Sequence, residues 1–195
     1  MQGKGTSRRV GAGFTLIELM IVVAIVGILA VLAIYGVRKY VAHAKTAEAM
    51  NSVGEMAKDA ATAYEREGMA GTVLAVKTSS GVARHLCGSA TASVPASAGS
   101  IQGRKYQSTV AEWNKDATAN VGFACVKFTI DQPQYYMYSY AASGTSGHPG
   151  DTFTAQAQGD LNGDQVLSLY QLTGSITGND VLVTAPNFLI VRPED

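Results

Sequence analysis

Hydrophobic positions along this chain fall into three regimes, each with its own period. From Leu19 to Tyr35, 17 consecutive residues carry no charge or strongly polar group, and the apolar stretch around them runs from Phe14 to Val37. As a helix, these roughly 24 residues measure about 36 Å, enough to cross the hydrocarbon of a bilayer. Further on, Ala47, Met50, Val53, Ala57, Ala60 and Tyr64 follow three- and four-residue steps, while Lys45, Glu48, Glu55, Asp59 and Arg66 fall mostly elsewhere. That is the stripe of an amphipathic helix with a solvated opposite face. Gly68 and Gly71 end the pattern. One helix of about 54 residues, from Phe14 to Glu67 and roughly 80 Å long, is predicted, its second half packed on a sheet.

The third regime is that of strands. The runs "VGFACVKFTI" (121–130) and "QYYMYSYAAS" (134–143), separated by Asp131, Gln132 and Pro133, predict an antiparallel hairpin. "TFTAQAQG" (152–159) and "VLSLYQL" (166–172) extend it to about four strands, and the closing "TAPNFLIVRPED" holds a last strand or a packed tail. A long helix followed by a run of strands is an α+β arrangement. The period of two places Tyr136, Tyr138 and Tyr140 on one face, where packing onto the sheet or the helix is the plain reading and surface adhesion or charge transport the exotic one. Residues 72–120 read as a loop-rich connection, and "GSATASVPASAGS" within it as a flexible surface loop. The divisions expected are therefore 1–13, a leader; 14–37, the membrane half of the helix; 38–71, its amphipathic half; 72–120, connecting loops; and 121–195, an antiparallel sheet head with its tail.

Charge changes this picture in one respect. The chain is neutral overall, yet Lys4, Arg8, Arg9, Arg38, Lys39 and Lys45 against Glu18 give residues 1–45 a net +5, and the remainder carries the balancing −5. The basic, acid-free leader "MQGKGTSRRVGAG" belongs on the cytoplasmic side by the positive-inside rule, with Arg38, Lys39 and Lys45 pulling the other way. A mildly acidic head with one short basic pair, Arg104 and Lys105, has no general electrostatic footprint for nucleic acid. Cys87 and Cys125 both follow the apolar run. If that run sends them across a membrane, they reach an oxidising compartment, where a disulfide between them is the expected state and two separate buried thiols the alternative. Closing that loop contributes roughly 3–4 kcal/mol by chain-entropy reasoning.

Glu18 is the anomaly. A carboxylate at mid-bilayer costs about 2.5–3.5 kcal/mol on insertion scales, so an acid here is a functional residue by default. An ordinary secretory signal, cut near "VLA" at Val31 to Ala33, has a shorter apolar region and no place for the acid. The run Gly13-Phe14-Thr15-Leu16-Ile17-Glu18-Leu19-Met20, with the basic leader before it, resembles the processing motif of type IV prepilins and the related pseudopilins. The resemblance covers the leader, the cleavage site and the first helix. It implies cleavage after Gly13 by a prepilin peptidase, methylation of the new amine on Phe14, and assembly of the apolar helix into a filament by an inner-membrane platform driven by a cytoplasmic ATPase. It also implies a single-pass inner-membrane precursor that becomes part of an extracellular pilus, or of a periplasmic pseudopilus.

Cutting after Gly13 creates an amine about 6 Å along the helix axis from Glu18. In low dielectric an ammonium and a carboxylate strongly prefer a partner to isolation. Glu18 then pairs with its own amine or, as the family implies, with that of a neighbouring subunit, the contact that sets axial register; a protonated Glu18 bonded locally is the bland alternative. Ala24, Gly27, Ala30 and Ala33 recur at spacing three and permit close helix approach. Where many pilins have a kinking proline this chain has Tyr35, followed by Gly36, so local unwinding rests on the glycine.

One further motif stands in the head. In "GDLNGDQVLS" (159–168), Asp160, Asn162 and Asp164 offer oxygens at alternate positions and Ser168 falls where a water-assisted ligand occurs in an EF-hand loop, a candidate calcium site. Gln165 and Gln171 replace the glycine and the bidentate glutamate of that pattern, and a polar turn is the competing reading. No phosphate-cradling glycine loop, no zinc spacing among His43, His85 and His148 and no nucleophile motif point to an enzyme. The expected function is that of a structural, self-polymerising pilin-like subunit serving motility, adhesion or DNA uptake. A type II secretion pseudopilin is the nearest alternative, and a membrane-tethered binding domain or enzyme a remote one.

Overall fold

A computed structural model describes residues 13–66 and 84–193. The expected helix end at Glu67, the glycines at 68 and 71, and nearly all of the leader lie outside the described residues. The first element, α1 (Leu16–Glu65), is a single α-helix of 50 residues that passes through Tyr35 and Gly36 without a break. Two compact units divide the chain, Met1–Val41 and Ala42–Asp195.

In the first unit every described residue is exposed, and α1 is long and apolar enough here to cross a membrane. In the second unit the helix is one-sided. It buries Ala49, Val53, Met56, Ala57, Ala60, Ala63 and Tyr64, with Met50 packed against them and Ala47 half-buried. Alanine dominates that face, and its counterpart on the sheet is large. The core joins these residues to Tyr136, Tyr138, Tyr140, Phe153 and Tyr170, small on the helix against aromatic on the strands. The tyrosine hydroxyl of Tyr64 donates to the Asp180 carbonyl at 3.0 Å, tying the end of α1 to the head.

The sheet has five strands, β1 (Tyr136–Ser143), β2 (Thr152–Gly159), β3 (Ser168–Ile176), β4 (Leu182–Thr184) and β5 (Leu189–Val191). The order is β1-β2-β3-β4, all antiparallel, with β5 pairing the other end of β3. Tyr138 stands opposite Ala157 and Ala157 opposite Tyr170, so aromatic and small residues alternate across the inner face. Gly174 belongs to the same device: a Cβ there would collide with the Phe153 ring.

Two expectations are corrected. Residues 121–130 are not a strand and make no hairpin with β1. They contain a short helix, α3 (Gly122–Val126), which Lys127 closes in the left-handed conformation at φ 65°. Gly122 forces the change. Its φ is +57°, its N–H donates to the Gly88 carbonyl at 2.8 Å, and a Cβ would meet the Ala90 backbone at 2.5 Å. The three-residue step from Phe123 to Val126 then buries both side chains beside Trp113 and Phe128. The second correction concerns the serine- and alanine-rich stretch expected to be flexible. Ala90 donates to the Tyr140 carbonyl, and Val94 exchanges both backbone bonds with Tyr138 at 3.0 and 2.8 Å. It therefore lies along β1 and covers an edge that would otherwise be open. Between it and α3 sits one more short helix, α2 (Val110–Trp113), which buries Trp113 edge-on to Phe123 and Phe128.

Glu48 is a partly buried acid on the packed half of α1. Its Oε1 accepts the Tyr135 N–H at 2.9 Å. Burial raises its pKa, against the pull of that bond and of Lys105 and Lys45. A raised folded pKa contributes stability below the unfolded carboxyl range that is lost as pH rises through the folded value.

Trp113, the chain's single tryptophan, reports unfolding of the head. Glu48→Gln keeps the acceptor without the charge. Its melting temperature should exceed that of the parent at pH 7.5 by a few degrees, and the difference should close as pH falls toward 4.5. At Gly174, substitution to Ala should cost about 1–3 kcal/mol in denaturant titration followed by the same fluorescence, since the displaced Phe153 ring is fully buried.

Candidate assembly site at the start of the apolar helix

Gly13, Phe14 and Thr15 precede the first helical residue, Leu16. Phe14 is 84% exposed and a Cβ on Gly13 would meet nothing within 4 Å, so the Gly13–Phe14 peptide bond is open to an attacking group. Three residues into the helix stands Glu18. Its Oε2 accepts the Thr15 N–H at 2.9 Å and the Thr15 hydroxyl at 2.7 Å, and the Glu18 N–H donates back to Thr15 Oγ1 at 3.3 Å.

That reciprocal pattern is a capping box, in which an N-cap threonine and the acid three residues later satisfy each other's orphan backbone donors. The first turn of any helix leaves four N–H groups without intrahelical partners, and in hydrocarbon no water replaces them. Glu18 therefore has a local structural partner in addition to any amine it meets. The sequence signal for this cap is Thr-x-x-Glu ahead of an apolar run. The same spacing recurs in the head, where Glu112 accepts the Thr109 N–H at 2.7 Å and its hydroxyl at 2.9 Å at the start of α2. Both bonds of Thr15 fall on Oε2. Oε1 meets no donor among the described residues.

Farther along the helix, Val23, Ala24, Gly27, Ile28, Val31 and Leu32 line a hollow of about 410 Å³. Of the four small residues at spacing three, Ala24 and Gly27 border it, and Ala30 and Ala33 do not.

The remaining candidates lie in the second unit, the head. Cys87 and Cys125 form a disulfide, 38 residues apart in sequence, which fastens the segment after Arg84 to α3. Tyr136, Tyr138 and Tyr140 are fully buried on the inner face of β1, as the period of two requires. Tyr135 points the other way, with Lys45 Nζ 4.4 Å and Lys105 Nζ 4.8 Å from its ring centroid. Asp160, Asn162 and Asp164 share the β2–β3 turn. Asp160 is wholly buried and its carboxylate accepts backbone N–H groups of Gly163, Asp164 and Gln165 at 2.6, 3.2 and 2.9 Å. Asn162 and Asp164 bond to each other, Asp164 also accepts the Val166 N–H, and the Ser168 hydroxyl donates to the Gly159 carbonyl. Each of the four thus has a hydrogen-bonding role that closes the turn by itself. Among the described residues no group of three or more histidine, cysteine, aspartate or glutamate side chains converges on a point where a metal ion would sit.

Residues 8–34 match the family model of the prokaryotic N-terminal methylation motif. A fimbrial protein of Eikenella corrodens is 53% identical over 47 residues, 24% of this chain and 31% of that protein. The type IV major fimbrial protein of Dichelobacter nodosus is 54% identical over 44 residues, covering 23% and 28%. A type IV major pilin protein of Neisseria gonorrhoeae is 54% identical over 52 residues, covering 27% and 31%. The chain spans about a third or less of the length of these curated relatives. No solved structure matches. Through this N-terminal segment, with its methylation motif, its capped glutamate and its long helix, the chain is similar to type IV pilins and fimbrial proteins.

Proposed function

We propose that this chain is a filament subunit, cut after Gly13, methylated on Phe14 and drawn from a bilayer into a helical polymer through the apolar half of α1. The observation that carries the reading is Glu18 on the first turn of a helix whose apolar half is exposed on every side. Such a surface is at home in lipid or among copies of itself. Transfer from lipid into a packed apolar bundle has no hydrophobic driving force of its own, so assembly draws on close packing, on an ionic contact and on external work. A prepilin peptidase, an inner-membrane platform and a cytoplasmic ATPase are the partners this scheme requires.

Within it the residues have separate tasks. Gly13 leaves the cleavage site unobstructed. Phe14 supplies the amine. Glu18 pairs with that amine on a neighbouring subunit through Oε1, while Oε2 keeps the Thr15 cap. The hollow beside Gly27 receives a side chain of an adjacent helix. The relatives that match are fimbrial proteins and major pilins, which favours a surface pilus serving motility, adhesion or DNA uptake over a secretion pseudopilus.

Mass spectrometry of the protein recovered from the producing cell should find a chain beginning at a methylated Phe14. Recovery of an intact Gly13–Phe14 bond would overturn the scheme. In cells expressing a tagged chain, electron microscopy should show long surface fibres; their absence together with failed protein secretion would favour the pseudopilus. Glu18→Ala should leave membrane-inserted subunit at normal levels and abolish fibres. For the cap, Thr15→Ala should weaken the helix start by about 1 kcal/mol, seen as faster hydrogen exchange of the first-turn amides, with Thr15→Ser restoring the protection.

A further inference from the structure

The first strand of the head sheet has its open side closed by a segment that is not itself a strand. β1 pairs β2 along one side. On the other side Val94 exchanges both backbone bonds with Tyr138, and the Ala90 N–H donates to the Tyr140 carbonyl at 2.9 Å. The Ser89 hydroxyl serves Ala142 twice, donating to its carbonyl at 3.2 Å and accepting its N–H at 2.9 Å. The strap made by residues 86–95 thus occupies the edge from Tyr138 to Ala142, which would otherwise be a template for another chain.

The two ends of this strap are held differently. Val94 and Pro95 are buried, so packing as well as hydrogen bonding keeps that end on β1. Residues 88–93 are all half-buried or exposed, and so have little apolar area to hold them in place. Beyond their bonds to β1, their fasteners come from α3 and the turn before it. The Gly122 N–H donates to the Gly88 carbonyl at 2.8 Å. The Asp116 carboxylate accepts the Thr91 N–H at 2.9 Å and the Thr91 hydroxyl at 2.6 Å, on an exposed surface where water competes for both partners. The Cys87–Cys125 disulfide is the covalent fastener, placed one residue before this weakly packed stretch.

We propose that the Cys87–Cys125 disulfide is a redox lock on the strap. When a dithiol reductant opens it, residues 88–91 leave β1 and free the edge at Tyr140 and Ala142, while the Val94 end stays paired. The step is an ordinary thiol–disulfide exchange. A thiolate of the reductant attacks Sγ of Cys125, which is half-buried where Cys87 is buried, forms a mixed disulfide and expels the Cys87 thiolate, which takes up a proton. The reductant's second thiolate then closes its own disulfide and expels Cys125. The reductant loses two electrons and the chain gains two thiols. The oxidised head therefore presents a sealed edge and the reduced head a half-open one, which ties exposure of a pairing edge to the redox state of the compartment.

The test reads backbone amide exchange residue by residue by NMR on the full-length chain in detergent, before and after dithiothreitol, with the thiols counted by mass spectrometry. Reduction should speed exchange at the Ala90 and Ala142 amides by about tenfold or more, and leave Val94, Tyr138 and the amides of β2 and β3 unchanged. Cys87→Ser/Cys125→Ser should reproduce that pattern without reductant. Thr91→Ala removes the Asp116 fastener alone. It should alter neither amide while the disulfide is intact and raise both rates further once it is reduced. Unchanged exchange at Ala90 and Ala142 in a chain carrying two thiols would overturn the proposal. So would an increase spread over Val94, Tyr138 and the inner strands, which would make the disulfide a brace for the whole head. None of these readouts depends on polymerisation, so their failure is separate from failure of the filament scheme.

Discussion

Small side chains on one helix face and large rings on the facing strands set the architecture of the head. Ala49, Ala57, Ala60 and Ala63 bring the α1 backbone near the sheet, and Tyr136, Tyr138, Tyr140, Phe153 and Tyr170 fill the layer that this leaves. The same complementarity recurs within the sheet. Ala155 and Ala157 sit beside tyrosines across the strands, and Gly174 yields its place to the Phe153 ring. A layer built this way tolerates little variation in volume, because each ring is received by a gap of defined size. Polar groups enter it sparingly. Among the described residues the hydroxyls of Tyr136 and Tyr138 make no well-formed hydrogen bond, and burial raises the pKa of both, so neither ionises near neutral pH.

This dependence on pattern explains why the long helix and the three-strand meander were readable beforehand. The stripe through Val53, Ala57, Ala60 and Tyr64 has one period over many residues, and the alternation in β1 and β2 holds for eight residues each. Long periodic signals survive local exceptions. The tyrosines of β1 followed directly, since a period of two leaves them no other face.

The misread segments are those whose conformation is set by contacts distant in sequence. "VGFACVKFTI" is apolar enough for a strand, and a run this short does not distinguish the two periods. What decides it is Gly122 pressed against Ala90 and the disulfide from Cys125 to Cys87, neither visible as local propensity. Residues 88–100 were misread for the converse reason. Serine and alanine suggest a solvated loop, and only the exposed edge of β1 makes pairing at Val94 worthwhile. At the N-terminus the acid, the glycine and the aromatic residue are legible as a motif, whereas the part played by Thr15 depends on where the helix begins, which an unbroken apolar run does not mark.

That double assignment of Glu18 is not a conflict. If the chain is cut after Gly13, the nitrogen of Phe14 changes from an amide to an ammonium, while the Thr15 N–H and hydroxyl remain to hold Oε2. A carboxylate with one oxygen fixed by its own helix cap has lost most of its rotational freedom before any subunit arrives, so less entropy remains to be lost when the second oxygen finds an ammonium. The cap also keeps the carboxylate at the positive end of the helix dipole, where its charge is favoured. The acid at the head of the apolar run is thereby accounted for as the start of a helix, and in the proposed filament scheme the same geometry leaves its second oxygen for the amine of the next subunit.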